Sequence, residues 1–172
     1  MKKSRRKSIA LVGGGFVFAA GAATAYTLTR KPRTAFVPWE AAGQYNDPRL
    51  RALSYAILAP NPHNRQPWKV DLSTPDQVTL YVDTDRLLPE TDPFDRQITI
   101  GLGCFLEIMR LAALQDGLGV SFDLFPEGAD PQGLDSRPVA ICRFAPTTEG
   151  RDPLFAQVPH RRTLKEPCDI TR

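Results

Sequence analysis

The spacing of apolar residues predicts one dominant helix in the second half of the chain. Between residues 96 and 115, apolar side chains recur every three or four positions and form one helix face. Seven residues make up this face: Ile98, Leu102, Phe105, Leu106, Met109, Ala112 and Ala113. Gly117 and Gly119 follow and are expected to end the helix. The pattern therefore predicts a long helix with one face in the core.

A shorter helix is predicted earlier, beginning after Asp47. Asp47 is a favourable N-cap and Pro48 suits the first helical position. Up to Ala59, the apolar face of this helix consists of Leu50, Leu53, Ile57 and Leu58.

Alternation of apolar and polar residues predicts the strands. Residues 68–72 and 78–82 alternate, and the turn-forming residues 73–76 separate them, so we expect a hairpin. Residues 120–125 and 138–144 predict two more strands, and a short helix begins at Asp152-Pro153. Helices with neighbouring antiparallel strands indicate an α+β fold, a largely antiparallel sheet flanked by helices.

Two glycines interrupt the dominant helix, at Gly101 and Gly103. Glycine disfavours a helix, so another backbone or a ligand is expected to come close to these positions. Tight packing against another part of the protein and approach of a ligand both remain open.

Composition excludes several classes of protein. The 172 residues suffice for about one domain, and the net charge of +3 depends on five basic residues at the N-terminus. Without residues 1–25 the balance is −2, which gives no sign of nucleic-acid binding. The three cysteines are far apart and predict neither disulfides nor a metal site, and Cys104 is expected to be a small core residue. No catalytic nucleophile with its partners is present.

Residues 1–25 have the composition of a targeting segment. Basic residues 2–7 precede the apolar residues 9–25, and Ala23-Thr24-Ala25 suits a cleavage site. The run Ser4-Arg5-Arg6-Lys7 resembles the twin-arginine export signal, although Ser8 stands where that signal usually has Phe. We expect export to the periplasm by the twin-arginine machinery, with an uncleaved inner-membrane anchor as the alternative. Residues 26–46 are expected to be a linker.

A polar turn follows the first predicted helix, and prolines 60, 62 and 67 stiffen it. It carries amide and imidazole groups at Asn61, His63, Asn64 and Gln66. Amides both donate and accept, so several held together suit the edge of a flat heterocycle such as a flavin. The alternative is a proline-rich connector with Trp68 capping the core.

A second polar cluster lies near the end of the sequence, where Arg161, Thr163 and Lys165 alternate with other residues. Two cations and a hydroxyl on one local turn can make charge-assisted hydrogen bonds to a phosphate. The alternative is a solvated basic segment.

Both clusters carry a family resemblance. The pattern Pro60-x-x-x-Asn64-x-Gln66-Pro67-Trp68 resembles a signature of nitroreductase-like FMN oxidoreductases, and the preceding His63 is similar to their Acg-like branch. Residues 85–93 resemble a further segment of that branch, a weak signal for function. Arg161-x-Thr163-x-Lys165 resembles the phosphate-binding motif that opens a nitroreductase repeat.

This resemblance implies a nitroreductase-like helix and sheet sandwich that holds FMN between two repeats. FMN would accept electrons from NAD(P)H and pass them to a small acceptor such as a nitro compound or a quinone. Acg-like proteins contain two such units, so residues 47–158 are expected to be the first and residues 159–172 the start of an incomplete second. Asn61 matches a family Ser or Thr that contacts the cofactor, whereas Pro62 departs from a usual Ser.

Three functions therefore remain open. The chain is expected to be an exported FMN-dependent oxidoreductase, with a second copy or a second nitroreductase-like half as a possible partner. Alternatively it binds or sequesters flavin without turnover, or it is an inactive truncated fragment. The cofactor-binding residues predicted for the first function are Asn61, His63, Asn64, Gln66, Arg161, Thr163 and Lys165.

Overall fold

A computed structural model describes residues 21–26 and 33–163. Lys165 and most of the predicted targeting segment lie outside the described residues. The chain divides into two compact units, Met1–Val37 and Pro38–Arg172. In the first unit, residues 21–26 are helical and exposed. The architecture below is that of the second unit.

Between residues 37 and 163, three helices and four strands form the regular structure. The helices are α1 (Val37–Ala41), α2 (Pro48–Ala56) and α3 (Arg96–Ala113), and the strands are β1 (Trp68–Asp71), β2 (Gln77–Val82), β3 (Leu118–Leu124) and β4 (Pro138–Pro146). Short 3-10 turns occupy Pro62–Asn64, Thr84–Arg86, Leu114–Asp116 and Pro153–His160. The sheet order is β1-β2-β4-β3, and every neighbouring pair is antiparallel. The predicted α+β fold is confirmed.

The predicted hairpin is the β1–β2 pair, which runs in register from Trp68 opposite Val82 to Asp71 opposite Thr79. β4 lies in the interior of the sheet, between β2 and β3, and its pairing with β2 shifts register between Leu80 and Tyr81. Its inward side chains, among them Ala140 and Cys142, are fully buried.

Helix α3 is the centre of the core, as its periodicity predicts. All seven residues of the predicted apolar face are buried. Its N-terminus is capped by the buried carboxylate of Asp92, which accepts hydrogen bonds from the backbone amides of Gln97 (2.9 Å) and Ile98 (3.0 Å). Capping of otherwise unpaired amides stabilises a helix start, so this part of the 85–93 segment has a structural role.

Helix α2 begins as predicted but is shorter. The Asp47 side chain accepts a hydrogen bond from the Arg49 backbone amide (2.8 Å), and Pro48 follows as the first helical residue. The helix ends at Ala56, not Ala59, and Leu50 is 38% exposed, so its assignment to the core face was wrong. Ala52 and Ala56, four residues apart, define the buried face, and Leu50 lies about 200° of helical rotation from Ala52.

The two helix glycines have different surroundings. A Cβ atom on the buried Gly101 would lie 3.4 Å from both the Asn61 Cβ and the Pro60 carbonyl oxygen, so the polar turn packs directly on α3 there. Gly103 is exposed and a Cβ there would have nothing within 4 Å among the described residues. Close approach of another backbone is therefore confirmed at Gly101, whereas no described residue makes such an approach at Gly103.

This difference predicts opposite effects of one substitution. Gly103→Leu should raise the free energy of unfolding by about 0.5–1 kcal/mol, because leucine favours a helix and has open space. Gly101→Leu should lower it by about 1–3 kcal/mol, because the side chain would push the turn away from α3. Urea unfolding monitored by circular dichroism measures both. Equal stability of the two variants would show that the turn does not pack against α3.

Candidate functional site

The polar turn after α2 has an unusual backbone. Three of its non-glycine residues have positive φ angles: His63 (49°), Asn64 (52°) and Gln66 (51°). This left-handed region costs an L-residue about 1 kcal/mol, and Asn tolerates it better than most residues. Such strained positions persist only where the surrounding structure holds them, and they concentrate at functional sites.

The Asn61 side chain ties the turn together from inside. Its Oδ1 accepts a hydrogen bond from the Gln66 backbone amide (2.7 Å), and its Nδ2 donates to the Ala59 carbonyl oxygen (3.2 Å). One Asn61 amide hydrogen remains for another partner. The Gln66 side chain in turn donates to Asn64 Oδ1 (3.3 Å). Asn61 and Gln66 thus make contacts that shape the turn itself.

Two arginines fasten the turn to the loop after β2. Arg65 donates to the carbonyl oxygens of Arg86 and Asp85 (3.1 Å each), and Arg86 donates back to the Arg65 carbonyl oxygen (2.8 Å). Arg86 also pairs with Asp83 (3.1 Å). This reciprocal contact was not predicted, although the charged residues at 83–86 were a visible sign of it.

The second polar cluster lies against the same turn. Arg161 Nη2 donates to the Leu58 carbonyl oxygen (2.9 Å), and Nη1 donates to Thr163 Oγ1 (3.1 Å). Arg161 Nε is buried and has no hydrogen-bond partner among the described residues. Burial first, and the neighbouring Arg162 charge second, lower the pKa of Arg161 from its ordinary value. A buried donor of this kind is suited to an anionic acceptor.

Arg162 and Trp39 complete this side of the site, and neither was predicted. The Arg162 guanidinium carbon lies 4.9 Å from the centre of the Trp39 ring. Arg162 Nη1 donates to the carbonyl oxygens of Pro159 and Arg161 (2.7 Å each). Within the described part of the chain, no carboxylate forms an ion pair with Arg161 or Arg162. The described carboxylates therefore leave these two positive charges unneutralised.

A cavity of about 460 Å³ brings the two polar clusters together. Its lining consists of Trp39, Ala59, Pro60, Asn61, His63, Asn64, Arg161, Arg162 and Thr163. We call it the larger cavity. Of the predicted cofactor-binding residues it contains five, while Gln66 is absent from its lining and Lys165 lies outside the described residues. Its size falls within the range of small-molecule sites, roughly 300–1,000 Å³.

A neighbouring space of about 240 Å³, the smaller cavity, shares three of these residues. Its walls are formed by Pro60, Asn61, Pro62, Gln97, Ile100, Gly101, Cys104 and Thr163. Cys104 is only partly buried and lines this cavity, so its prediction as a plain core residue was incomplete. Of the two described cysteines Cys142 is the buried one, and desolvation raises its pKa to about 12.

A third cavity, of about 140 Å³, lies under the loop of residues 126–137. Its cation Arg137 is paired with Asp135 (2.6 Å), so the charge there is already balanced. Because of its size and balanced charge, this cavity is a weaker candidate for a ligand than the larger one.

The two roles of the turn's asparagines predict different stability effects. Asn61→Ala should lower the free energy of unfolding by about 1–3 kcal/mol, because it leaves the Gln66 amide without its acceptor. Asn64→Gly should cost less than about 0.5 kcal/mol, because Asn64 is exposed, makes one long side-chain contact and has a positive φ angle that glycine adopts readily. Thermal unfolding measures both. An Asn64 variant that loses as much stability as the Asn61 variant would contradict this division.

Comparison with known proteins gives related sequences and similar folds. No protein-family model matches the sequence. The chain is 32% identical over 122 residues to a Mycobacterium tuberculosis protein named "Putative NAD(P)H nitroreductase acg", covering 69% of this chain and 36% of that protein. An uncharacterized protein of the same organism is 32% identical over 124 residues, covering 69% of this chain and 35% of its own length. The chain thus spans about a third of the length of the curated relatives that it matches.

Solved structures give more distant similarities. A nitroreductase-like family protein from Bacillus cereus matches 71% of this chain and 86% of its own, with 19% identity and a TM-score of 0.45. A nitroreductase family protein from Clostridium difficile 630 matches 74% and 87%, with 17% identity and a TM-score of 0.46. The sequence similarity to the Mycobacterium tuberculosis protein supports a relationship of this chain to the nitroreductase-like oxidoreductases.

Proposed function

We propose that the chain is an FMN-dependent oxidoreductase that passes electrons from NAD(P)H to a small acceptor. One observation carries this proposal: the fold brings the polar turn and the basic cluster to one cavity. The hydrogen bond that joins them, from Arg161 to the Leu58 carbonyl oxygen, links residues 103 positions apart in the sequence. That cavity has polar groups on one side and uncompensated positive charge on the other, as a phosphorylated heterocycle requires.

The basic cluster would hold the phosphate. Arg161 offers its buried, unpartnered Nε, Thr163 offers a hydroxyl at the cavity wall, and Lys165 is the third member of the sequence motif. A hydrogen bond from a desolvated guanidinium to a phosphate is stronger than one in water, because the local dielectric constant is lower. The residues present therefore fit an anionic end group.

The polar turn would contact the heterocycle. His63 and Asn64 line the larger cavity, and Asn61 retains one amide hydrogen there. The left-handed backbone at His63 and Asn64 and the internal hydrogen bonds of the turn fix these groups before a ligand arrives, which lowers the entropic cost of binding. When bound, FMN would supply the electron-transfer chemistry, while these residues orient it and limit its access to water.

The smaller cavity supports turnover over simple storage of flavin. It shares Pro60, Asn61 and Thr163 with the larger cavity and has apolar walls at Pro62 and Ile100. An adjoining apolar space is what a nicotinamide or a flat acceptor would need. Storage of flavin without turnover remains the second candidate, and the test below separates the two.

Export and association also belong to this proposal. The basic and apolar composition of residues 1–25 supports export by the twin-arginine machinery to the periplasm, or anchoring in the inner membrane. Phe94 is 76% and Ile100 56% exposed near the N-terminus of α3. Exposed apolar side chains beside a cavity support contact with a second copy or a second nitroreductase-like half.

The first test is flavin retention by the 172-residue chain after incubation with FMN and desalting. We expect flavin absorbance in the wild type and at least about tenfold weaker FMN binding in Arg161→Gln, because one charge-assisted hydrogen bond is lost. Arg151→Gln is the control, since Arg151 makes its contact with the Gln115 carbonyl oxygen, away from the cavity. A folded wild-type protein that retains no flavin would contradict the proposal.

A second measurement locates the ligand and tests turnover. In a Cys168→Ser background, FMN should slow alkylation of Cys104, while Cys142 should stay unreactive at pH 8 because its thiol pKa is about 12. Because Cys104 lines the smaller cavity, unchanged reactivity with bound flavin would show that FMN does not restrict access to that cavity. Oxidation of NADH or NADPH by the flavin-loaded protein then separates an oxidoreductase from a flavin store.

A further inference from the structure

Arg162 lies between Arg161 and Thr163, at a position for which the basic motif specifies no residue type. It nevertheless lines the larger cavity together with both of them. Its Nη1 is held by two carbonyl oxygens at 2.7 Å, those of Pro159 and Arg161. Its Nε and Nη2 donate to no other residue in the described part of the chain. The guanidinium is thus fixed at one end and has donors available at the other.

Trp39 holds the same guanidinium from a different part of the sequence. The Arg162 guanidinium carbon is 4.9 Å from the Trp39 ring centre, within the range of a cation–π contact. Trp39 also lines the larger cavity. An arginine stacked on an aromatic ring loses less side-chain freedom when it binds a ligand, because the stack has already restricted it.

We infer that Arg162, positioned by Trp39, is a second phosphate-binding cation of the larger cavity and determines its preference for a phosphorylated flavin. This inference rests on the proposed function and adds to it the residue pair that distinguishes FMN from riboflavin. Two guanidiniums that lack a carboxylate partner repel each other, and a phosphate with about two negative charges relieves that repulsion. Arg162 is therefore assigned to ligand contact and Trp39 to its positioning.

The test compares dissociation constants of the 172-residue protein for FMN and for riboflavin, measured by quenching of flavin fluorescence. Arg162→Gln should weaken FMN binding about tenfold and leave riboflavin binding within about twofold, because riboflavin lacks the phosphate. Arg162→Lys should keep part of the FMN affinity, since it keeps the charge but not the planar donors. Trp39→Phe should lose less FMN affinity than Arg162→Gln, because phenylalanine retains an aromatic ring face for the guanidinium. Arg151→Gln is the matched control for removal of one positive charge.

Salt dependence gives a readout that a purely structural role would not change. The FMN affinity of the wild type should fall as ionic strength rises, because salt screens the attraction between the arginines and the phosphate. This dependence on ionic strength should be weaker in Arg162→Gln, since the variant has one fewer positive charge to be screened. Riboflavin affinity should depend little on salt in either protein. An unchanged FMN slope would overturn the assignment of Arg162 to the phosphate.

The alternatives are separable in the same experiment. Equal loss of FMN and riboflavin binding in Arg162→Gln would mean that Arg162 only supports the cavity wall, which overturns the inference. FMN binding that depends on Arg161 but not on Arg162 would also overturn it while leaving the proposed function intact. If NADPH and NADH binding are measured on the same variant, loss of NADPH but not NADH binding together with unchanged FMN affinity would assign the contact to the 2′-phosphate of the electron donor and overturn the inference. Absence of flavin binding by the wild type would reject both proposals together.

Discussion

The hydrogen bond from Arg161 to the Leu58 carbonyl oxygen is the contact on which the candidate site depends. It joins a turn at the end of α2 to a segment 103 residues later, and both walls of the larger cavity meet there. Carbonyl groups at a helix end lack intrahelical partners and attract cations. The end of α2 therefore provides a natural anchor for Arg161. Once this anchor is made, Thr163 and Arg162 are brought beside the turn residues.

Two adjacent cations that have no carboxylate partner among the described residues, Arg161 and Arg162, lie at this cavity, whereas several arginines elsewhere on the described surface are paired. Arg49, Arg51, Arg110 and Arg137 each lie within 2.6–2.8 Å of a carboxylate oxygen. At the larger cavity, burial and mutual repulsion instead lower the pKa of Arg161. Fixed positive charges without a carboxylate partner destabilise the folded protein slightly and favour an anionic ligand, because the ligand supplies the missing negative charge. This is the electrostatic argument for a phosphate end group.

The sequence predicted local features well because they follow from periodicity and capping. The seven buried positions of α3, the β1–β2 hairpin and the Asp47 cap each depend on residues close together in the chain. Long-range contacts could not be predicted in the same way. Trp39 was assigned to a linker, and its contact with Arg162 spans 123 positions of sequence. Gly103 shows a related limit, since a glycine in a helix does not indicate what faces it. The resemblance to known motifs, rather than any local pattern, associated the two halves of the site.

The structure also separates residues that shape the site from residues that face the ligand. Asn61, Arg65 and Gln66 make hydrogen bonds within the turn and to the loop after β2, and Gly101 lets the turn pack on α3. Asn61 belongs to both groups, because it also lines the larger cavity. His63, Asn64, Arg161, Arg162 and Thr163 line the cavity, with fewer internal contacts from the turn residues. A strained backbone at three positions is tolerated because the first group holds it in place. Preorganisation of this kind suits recognition of a rigid, planar ligand, because the protein need not be ordered again at each binding event.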